Sequence, residues 1–404
     1  MRTFLAMALG KTARFLLRLV RRGGGSSLPG TIAAAIQPNL LERAIQSAPQ
    51  GLVVVSGSAG KSSTTKLIVA LLEAHGLRVF TNPSTANIKQ GYYASVLQFG
   101  DLRGHIAADI VVLEWDEGHG AALAKELKPR LSVITNVLSD QLDRFVDPIY
   151  VQEKLAEIIN NTSTVIANRD DPNVAQIASG HPEVFGFGLV AELIDEGPSY
   201  AINFGDKPEL SASALIKHAT AERLLIMLKG TDLEIAGNYE NFSQAMNVAS
   251  AVLAVDALVE IDTELVAHTI EALPPVFARD ETTMVRDRLV RLMLVQNPTS
   301  FQLNLDGLHS TPHPLMIMAG RDIHDPSWLW TVDFSKLDSV DVVSGFNAHE
   351  LALRLHYSGV EVKLVEPKID LANEHFAKLA GSDPTIVFSA DAMRRTRRYL
   401  GLAK

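Results

Sequence analysis

The run Val53-Val54-Val55-Ser56-Gly57-Ser58-Ala59-Gly60-Lys61-Ser62-Ser63 joins three signals end to end. The β-branched residues read as a buried parallel strand, Gly57 and Gly60 as a tight turn, and Lys61 onward as the start of a helix reaching about residue 75. Glycines let backbone N–H groups approach phosphate oxygens closely, and the helix N-terminus adds partial positive charge. Lys61 is placed to bridge terminal phosphates and the Ser62 hydroxyl to ligate Mg²⁺, with Ser63 beside it in the same turn. The spacing Gly-x-x-Gly-Lys-Ser is shorter than the usual phosphate loop. Such a turn also serves as a plain strand-to-helix connection, but the Lys-Ser pair directly after it favours nucleotide binding.

With 404 residues the chain exceeds one ordinary core, so two domains and an appendage are expected. Apolar residues make up 47% of it, ample for burial, and the net charge of −9 argues against a nucleic-acid partner. The absence of cysteine excludes disulfides, Cys-ligated zinc and a Cys nucleophile in this chain.

Arg2, Lys11, Arg14, Arg18, Arg21 and Arg22 stand among Leu, Phe and Ala, the pattern of a basic amphipathic helix. Lys11 and Arg14 interrupt the apolar stretch, which disfavours a signal peptide, and no run approaches the roughly 20 apolar residues of a membrane span. Two uses stay open: peripheral contact with an anionic membrane surface, or packing on the main body.

Beyond a Gly/Ser/Pro hinge at 23–30 a helix is expected over 32–48, and then strands alternate with helices. Strands are read at 78–81, 109–114, 131–136 and 164–168, and helices at 121–127, 150–160 and 172–178. This alternation predicts an α/β fold with a parallel sheet, whose ligands sit at the carboxyl ends of the strands. Asn82, Glu114, Asp116, Asn136 and Asn168 fall there. The stretch 189–234 is less regular and carries short β-like runs such as Leu224 to Met227; a helix follows at 242–259, and Leu273-Pro274-Pro275 reads as an interdomain break. A second α/β alternation has strands at 292–295, 315–318, 340–343, 360–365 and 385–388 and helices at 348–357 and 371–380. The basic run 394–398 reads as a solvated helix face. The domains expected are thus 1–48, a basic helix and linker; 49–272, a nucleotide-binding domain with an insert at 189–234; and 275–404, a Rossmann-like α/β domain.

Glu114, Asp116 and Glu117 put three acids in four positions, which repel one another unless a cation or basic partner is present. Mg²⁺ near a nucleotide and a strand-end acidic cap account for them equally well. Asp140 and Asp143, in the stretch 135–144, add a second acidic strand end. In the second domain Asp322-Ile323-His324-Asp325 precedes Pro326, which suits either acid–base work or a helix cap at Asp325, and the cap is the commoner arrangement.

Taken together these stretches resemble the Mur ligase family, whose members use ATP to make an acyl phosphate and then an amide. Gly57-Ser58-Ala59-Gly60-Lys61-Ser62 is similar to its phosphate loop, Asn168-Arg169-Asp170-Asp171-Pro172 to its Asn-Ala-Asp-Asp-Pro strand end, and residues 136–144 to its Asp-His-Leu-Asp segment, with Gln141 in place of His. That replacement, Gly23 to Gly30, and Leu113-Glu114-Trp115-Asp116-Glu117 resemble the amidating branch of the family, the ligase-like subunits that act on lipid II. So do Val276-Phe277-Ala278-Arg279-Asp280-Glu281, Gln296-Asn297-Pro298 and the segment 325–334. The resemblance implies ATP and Mg²⁺ as cofactors, with Lys61 and Ser62 on phosphate and metal, Glu114 as metal ligand, Asn247 near the base, and Arg279 helping to clamp the transferring phosphoryl group. It also implies a GatD-like class I glutaminase partner, whose triad Asp325 would complete, with Asp322 as rival. Lipid II would be the membrane-anchored substrate and the location cytoplasmic, at the inner face of the membrane.

Three departures accompany the resemblance. The four-Cys zinc ribbon usual in this branch is missing, so no zinc is expected and the 189–234 insert must be held by ordinary packing. The loop 237–241 is extended with Gln244 where Asn is usual, and the phosphate loop has Ser-Ala-Gly-Lys-Ser. Two alternatives stand beside the amidase reading: a stand-alone ligase that adds an amino acid, and a nucleotide-binding scaffold with a decayed site.

Overall fold

The computed structural model describes residues 1–20, 28–82, 89–138, 148–273 and 279–402, apart from 199, 202, 204, 207, 240, 241, 286, 287, 296, 297, 309 and 324. The chain divides into two compact units, one of residues 1–138 and 148–272, the other of 273–404.

The first unit opens with three helices, α1 (Arg2–Val20), α2 (Leu28–Ile36) and α3 (Leu40–Gln46). The single helix expected over 32–48 is instead two, because Pro38 cannot donate to the ladder and stops α2. Then come β1 (Leu52–Ser56), α4 (Lys61–Ala74), β2 (Val79–Phe80), α5 (Lys89–Phe99), β3 (Ile110–Glu114), α6 (Glu117–Leu127) and β4 (Leu131–Ile134). They are followed by α7 (Pro148–Ile159), β5 (Thr164–Asn168), α8 (Pro172–Ala178) and β6 (Val184–Leu189). The insert supplies β7 (Ala212–Ala219), β8 (Arg223–Leu228) and β9 (Thr231–Ala236), and α9 (Phe242–Asp256) and α10 (Thr263–Glu271) complete the unit.

The strands form one sheet in the order β2-β3-β1-β4-β5-β6-β7-β8-β9. It is parallel from β2 to β7, and β8 and β9 add antiparallel hairpins. Every residue of β1 is buried, as a central strand covered on both faces requires. The chain leaves β1 toward β3 and β2 on one side and returns to β4 on the other, so the sheet's switch point lies at the end of β1, where such sheets take ligands. The insert packs through Ala214, Ile216, Leu224, Ile226 and Ile235, alternating residues on the buried face of its strands. Helix α9, apolar nearly all round, is buried between these strands and α4.

The second unit contains β10 (Arg279–Val285), β11 (Arg288–Leu294), α11 (Pro298–Asp306), β12 (Leu315–Met318), a 3₁₀ turn Pro326–Thr331, β13 (Ser339–Val340), β14 (Val342–Ser344), α12 (Ala348–Tyr357), β15 (Glu361–Val362), β16 (Val365–Glu366), α13 (Ile369–Lys378), β17 (Thr385–Phe388) and α14 (Ala390–Tyr399). Its main sheet runs β10-β11-β17-β12-β14-β16, with β10 antiparallel to its neighbour and the rest parallel. One apolar cluster around Phe301, Leu329 and Phe334 and another around Met316, Phe376 and Phe388 cover its two faces. The basic run 394–398 lies on α14 and is not wholly solvated: Arg394, Arg395 and Arg398 are exposed, but Arg397 is buried with Thr396.

Candidate active site

Gly57 and Gly60 hold φ values of +128° and +84°, conformations that side chains rarely adopt. Gly60 occupies the N-cap of α4 and brings no side chain to the helix N-terminus. A Cβ there would run into the Asn247 amide oxygen, and one at Gly57 would meet the Thr135 hydroxyl and, at 2.9 Å, the Asn136 nitrogen. Both glycines are therefore required by close approach as well as by backbone angle.

The loop is stitched to the end of β4. Ser58 N donates to the Asn136 carbonyl (2.9 Å), Ala59 N to Asn136 Oδ1 (2.8 Å), and the Thr135 hydroxyl to the Ala59 carbonyl (2.7 Å). A second layer supports the first. Asn168 Nδ2 donates to the Thr135 carbonyl (2.8 Å), and Val137 N donates to Asp171 Oδ2 (2.6 Å). Asp171 also caps α8 by accepting from Asn173 N and Val174 N. Burial pushes its carboxyl up to about 6, against the pull of these N–H donors. The Asn-Arg-Asp-Asp-Pro stretch thus acts here as a brace for the loop's neighbour.

Lys61 folds back over its own loop. Its ammonium donates to Glu117 Oε1 at 2.7 Å, to the Ser58 carbonyl at 3.1 Å and to the Gly57 carbonyl, and the two ion-pair side chains are only 11% and 3% exposed. Asp116 is the N-cap of α6, accepting from His119 N at 3.2 Å. The acidic run therefore divides by role: Asp116 caps, Glu117 pairs with the loop lysine, and Glu114, half-buried, ends β3 opposite Val55 of β1. The Tyr92 hydroxyl donates to the Glu114 carbonyl, and burial, then the Glu114 and Asp116 charges, push its pKa well up, so it stays protonated.

Asn247 on α9 reaches the head of α4, where its Oδ1 accepts from the Thr64 hydroxyl at 3.3 Å. It lies against Gly60 of the loop, whose added Cβ would meet its amide oxygen. Ser62 and Glu114 offer hard oxygen donors at the head of α4 and the end of β3, the latter on a strand paired directly with β1. That set suits Mg²⁺, which takes one or two protein ligands and completes its shell with phosphate and water. Among the described residues no cluster of three or more His, Cys, Asp or Glu could hold a metal alone.

In the second unit the two candidate aspartates have different surroundings. Asp322 accepts from the Ser389 hydroxyl (2.6 Å), Ala390 N (2.8 Å) and Asp391 N (3.1 Å), and so locks the start of α14. Asp325 caps the 3₁₀ turn, accepting from Ser327 N at 2.9 Å, and Ser327 holds its carboxyl below the usual range. Arg279 begins β10, but its side chain lies outside the described residues, as do Asp140, Gln141, Asp143 and Arg144, His324, and the interdomain residues 274–278.

Two family models match this architecture: the Mur ligase middle domain over residues 55–254 and the MurT ligase C-terminal domain over 294–388. The chain belongs to the Mur ligase family. It is an ATP-dependent ligase. Among relatives of this Mur ligase are the MurT subunit of lipid II isoglutaminyl synthase (glutamine-hydrolyzing) of Streptococcus pneumoniae, 27% identical and covering 89% of this chain and 88% of that protein, and its counterpart of Staphylococcus aureus strain COL, 25% identical over 90% of each. Among solved structures, MurF ligase of Thermotoga maritima in complex with ADP superposes with a TM-score of 0.69 at 19% identity, covering 95% of this chain and 86% of that one. A pseudomurein peptide ligase type C of Methanothermus fervidus gives 0.68 at 15%, over 86% and 78%. These two show the shared fold. In the sequence Glu117 is one acid of three, and the signal for its pairing with Lys61 is that such a run needs a cation or basic partner.

Proposed function

We propose that this ligase amidates the α-carboxylate of D-glutamate in the lipid II stem peptide, with ammonia from a separate GatD-like class I glutaminase. The observation that carries the reading is the combination of a complete phosphate loop with a C-terminal domain of the MurT type in a chain without cysteine. Ammonia is scarce at neutral pH, and a class I glutaminase needs a Cys nucleophile, so that nucleophile belongs to another polypeptide.

The carboxylate oxygen attacks the γ-phosphorus of ATP, the bond to the bridging oxygen breaks and ADP leaves. Ammonia then attacks the acyl carbon, phosphate departs with the bonding electrons, and the nitrogen loses a proton to give the amide. Lys61 would exchange its contacts to the Gly57 and Ser58 carbonyls for phosphate oxygens, with Glu117 keeping its ammonium in place, so that fixed positive charge meets the transferring phosphoryl group. Mg²⁺, held by Ser62 and Glu114, would neutralise charge on the phosphates. Gly57, Gly60 and Ser63 would present backbone N–H groups, Asn247 would set the loop's position, and Arg279 is proposed as a second cation.

Asp325 is proposed to serve the glutaminase triad. The surroundings support it over Asp322, whose carboxylate already accepts three donors at the head of α14. Co-purification with a class I glutaminase followed by glutamine-dependent amidation of lipid II tests the reading. Activity that needs both chains supports it, and amino-acid-dependent ADP release by this chain alone would favour a stand-alone ligase.

A further inference from the structure

Helix α1 has the burial pattern of a helix turned inside out. Its inner face is made of small and polar residues: Thr3, Ala6 and Gly10 are buried with Met7 against α2 and α5, and Gly10 lies directly on the Leu97 side chain. Its outer face carries Phe4, Leu5, Leu9, Phe15 and Leu16, each between 46% and 64% exposed. At 100° per residue these five fall on one arc opposite the buried one. A helix packed on a domain ordinarily does the reverse, and a contiguous apolar face of this kind marks a docking surface.

Charge selects the occupant. Residues 1–41 contain six Arg or Lys and no Asp or Glu, in a chain whose net charge is −9. Arg2 and Lys11 lie at the two borders of the apolar arc, and Thr12 is its uncharged polar member. Phe and Leu on one face with basic residues at its rim is the composition that sinks shallowly into a bilayer surface while its cations meet acidic headgroups. Among the described residues no helix is long and apolar enough to cross a membrane.

We propose that the outer face of α1 docks this protein on an anionic lipid bilayer, lying in the interface plane. The inference rests on α1 alone and stands or falls independently of the proposed reaction. The test is sedimentation of the full chain with vesicles of mixed phosphatidylglycerol and phosphatidylcholine, compared with phosphatidylcholine alone. Relative to binding of the wild type to anionic vesicles at low salt, binding is expected to be about tenfold or more weaker in high salt, on neutral vesicles, and for Leu5→Glu/Phe15→Glu. Both residues face solvent, so the variant should keep its far-UV circular dichroism. Arg2→Gln/Lys11→Gln, which leaves the apolar face intact, should weaken binding severalfold. No sedimentation with anionic vesicles, or binding unchanged in Leu5→Glu/Phe15→Glu, would overturn the proposal. So would light scattering that shows a dimer of this chain dispersed by that same variant without any lipid.

Discussion

The Lys61 ammonium and the Glu117 carboxylate, 2.7 Å apart with only 11% and 3% of their side chains exposed, tie the loop after β1 to the first turn of α6. A buried pair of this kind is costly to break on one side, because the remaining charge has no water to turn to. Glu117→Gln should lower stability of the nucleotide-free protein by about 3 kcal/mol. Because phosphate oxygens then take over the cation, ATP should recover much of that loss. Thermal unfolding with and without ATP checks it, and a variant equally destabilised in both states would contradict the pairing's link to phosphate. Lys61→Met should cost roughly 10²-fold or more in turnover.

Gly60 offers a steric test. Alanine there must hold φ near +84° and push its Cβ into Asn247. The left-handed conformation alone costs about 1–2 kcal/mol. Gly60→Ala should therefore abolish nucleotide binding or destabilise by about 2 kcal/mol or more, measured by urea unfolding and ATP titration. Adding Asn247→Ala should restore part of the loss, since it removes the collision but leaves the backbone strain.

Asp171 gives a pH signature with a defined sign. Its carboxyl is raised from 3.8 to about 6 by burial, so between these values the native state holds the proton more tightly than the unfolded chain. Its contribution to stability is therefore full below about pH 4 and falls by roughly 3 kcal/mol as pH rises through 6. Unfolding free energies of the wild type and Asp171→Asn across that window should differ in slope, with the flatter line belonging to the variant. Parallel slopes would place the titration elsewhere.

Much of the candidate site is legible because its signals are local: glycines, lysine and serine stand within one turn of each other. What the sequence hid was set by distance. Asn247 meets Gly60 only because α9 packs on α4, and Asp322 finds its partners at Ser389 to Asp391, far along the chain. The division of the acids at 114, 116 and 117 depends on where α6 starts and on which one faces Lys61, neither of which spacing resolves. Pro38, between α2 and α3, is a local signal for the helix break, since proline cannot continue the ladder. In the insert, period-two alternation in Ala212–Ala219 and Arg223–Leu228 marks real strands, but short runs with exposed edges carry a weak signal.

Asp322 and Asp325 should separate cleanly. Asp322→Asn takes charge from three donors at the head of α14 and should destabilise by about 2 kcal/mol. Asp325→Asn keeps a good capping residue and should cost a few tenths of a kcal/mol at most. In the complex with a glutaminase, Asp325→Asn should nonetheless lower glutamine-driven amidation by roughly 10²-fold while amidation from added ammonia persists. Equal losses with both nitrogen sources would remove Asp325 from the glutaminase triad.

In the proposed reaction a carboxylate activated by this chain is captured by nitrogen released on a second protein. The most direct measurement follows isotope from amide-labelled glutamine into the amidated stem peptide, with this chain alone and with its glutaminase partner. Label should enter the product only when both chains are present, together with stoichiometric ADP. Label incorporated at the same rate by this chain alone would contradict it.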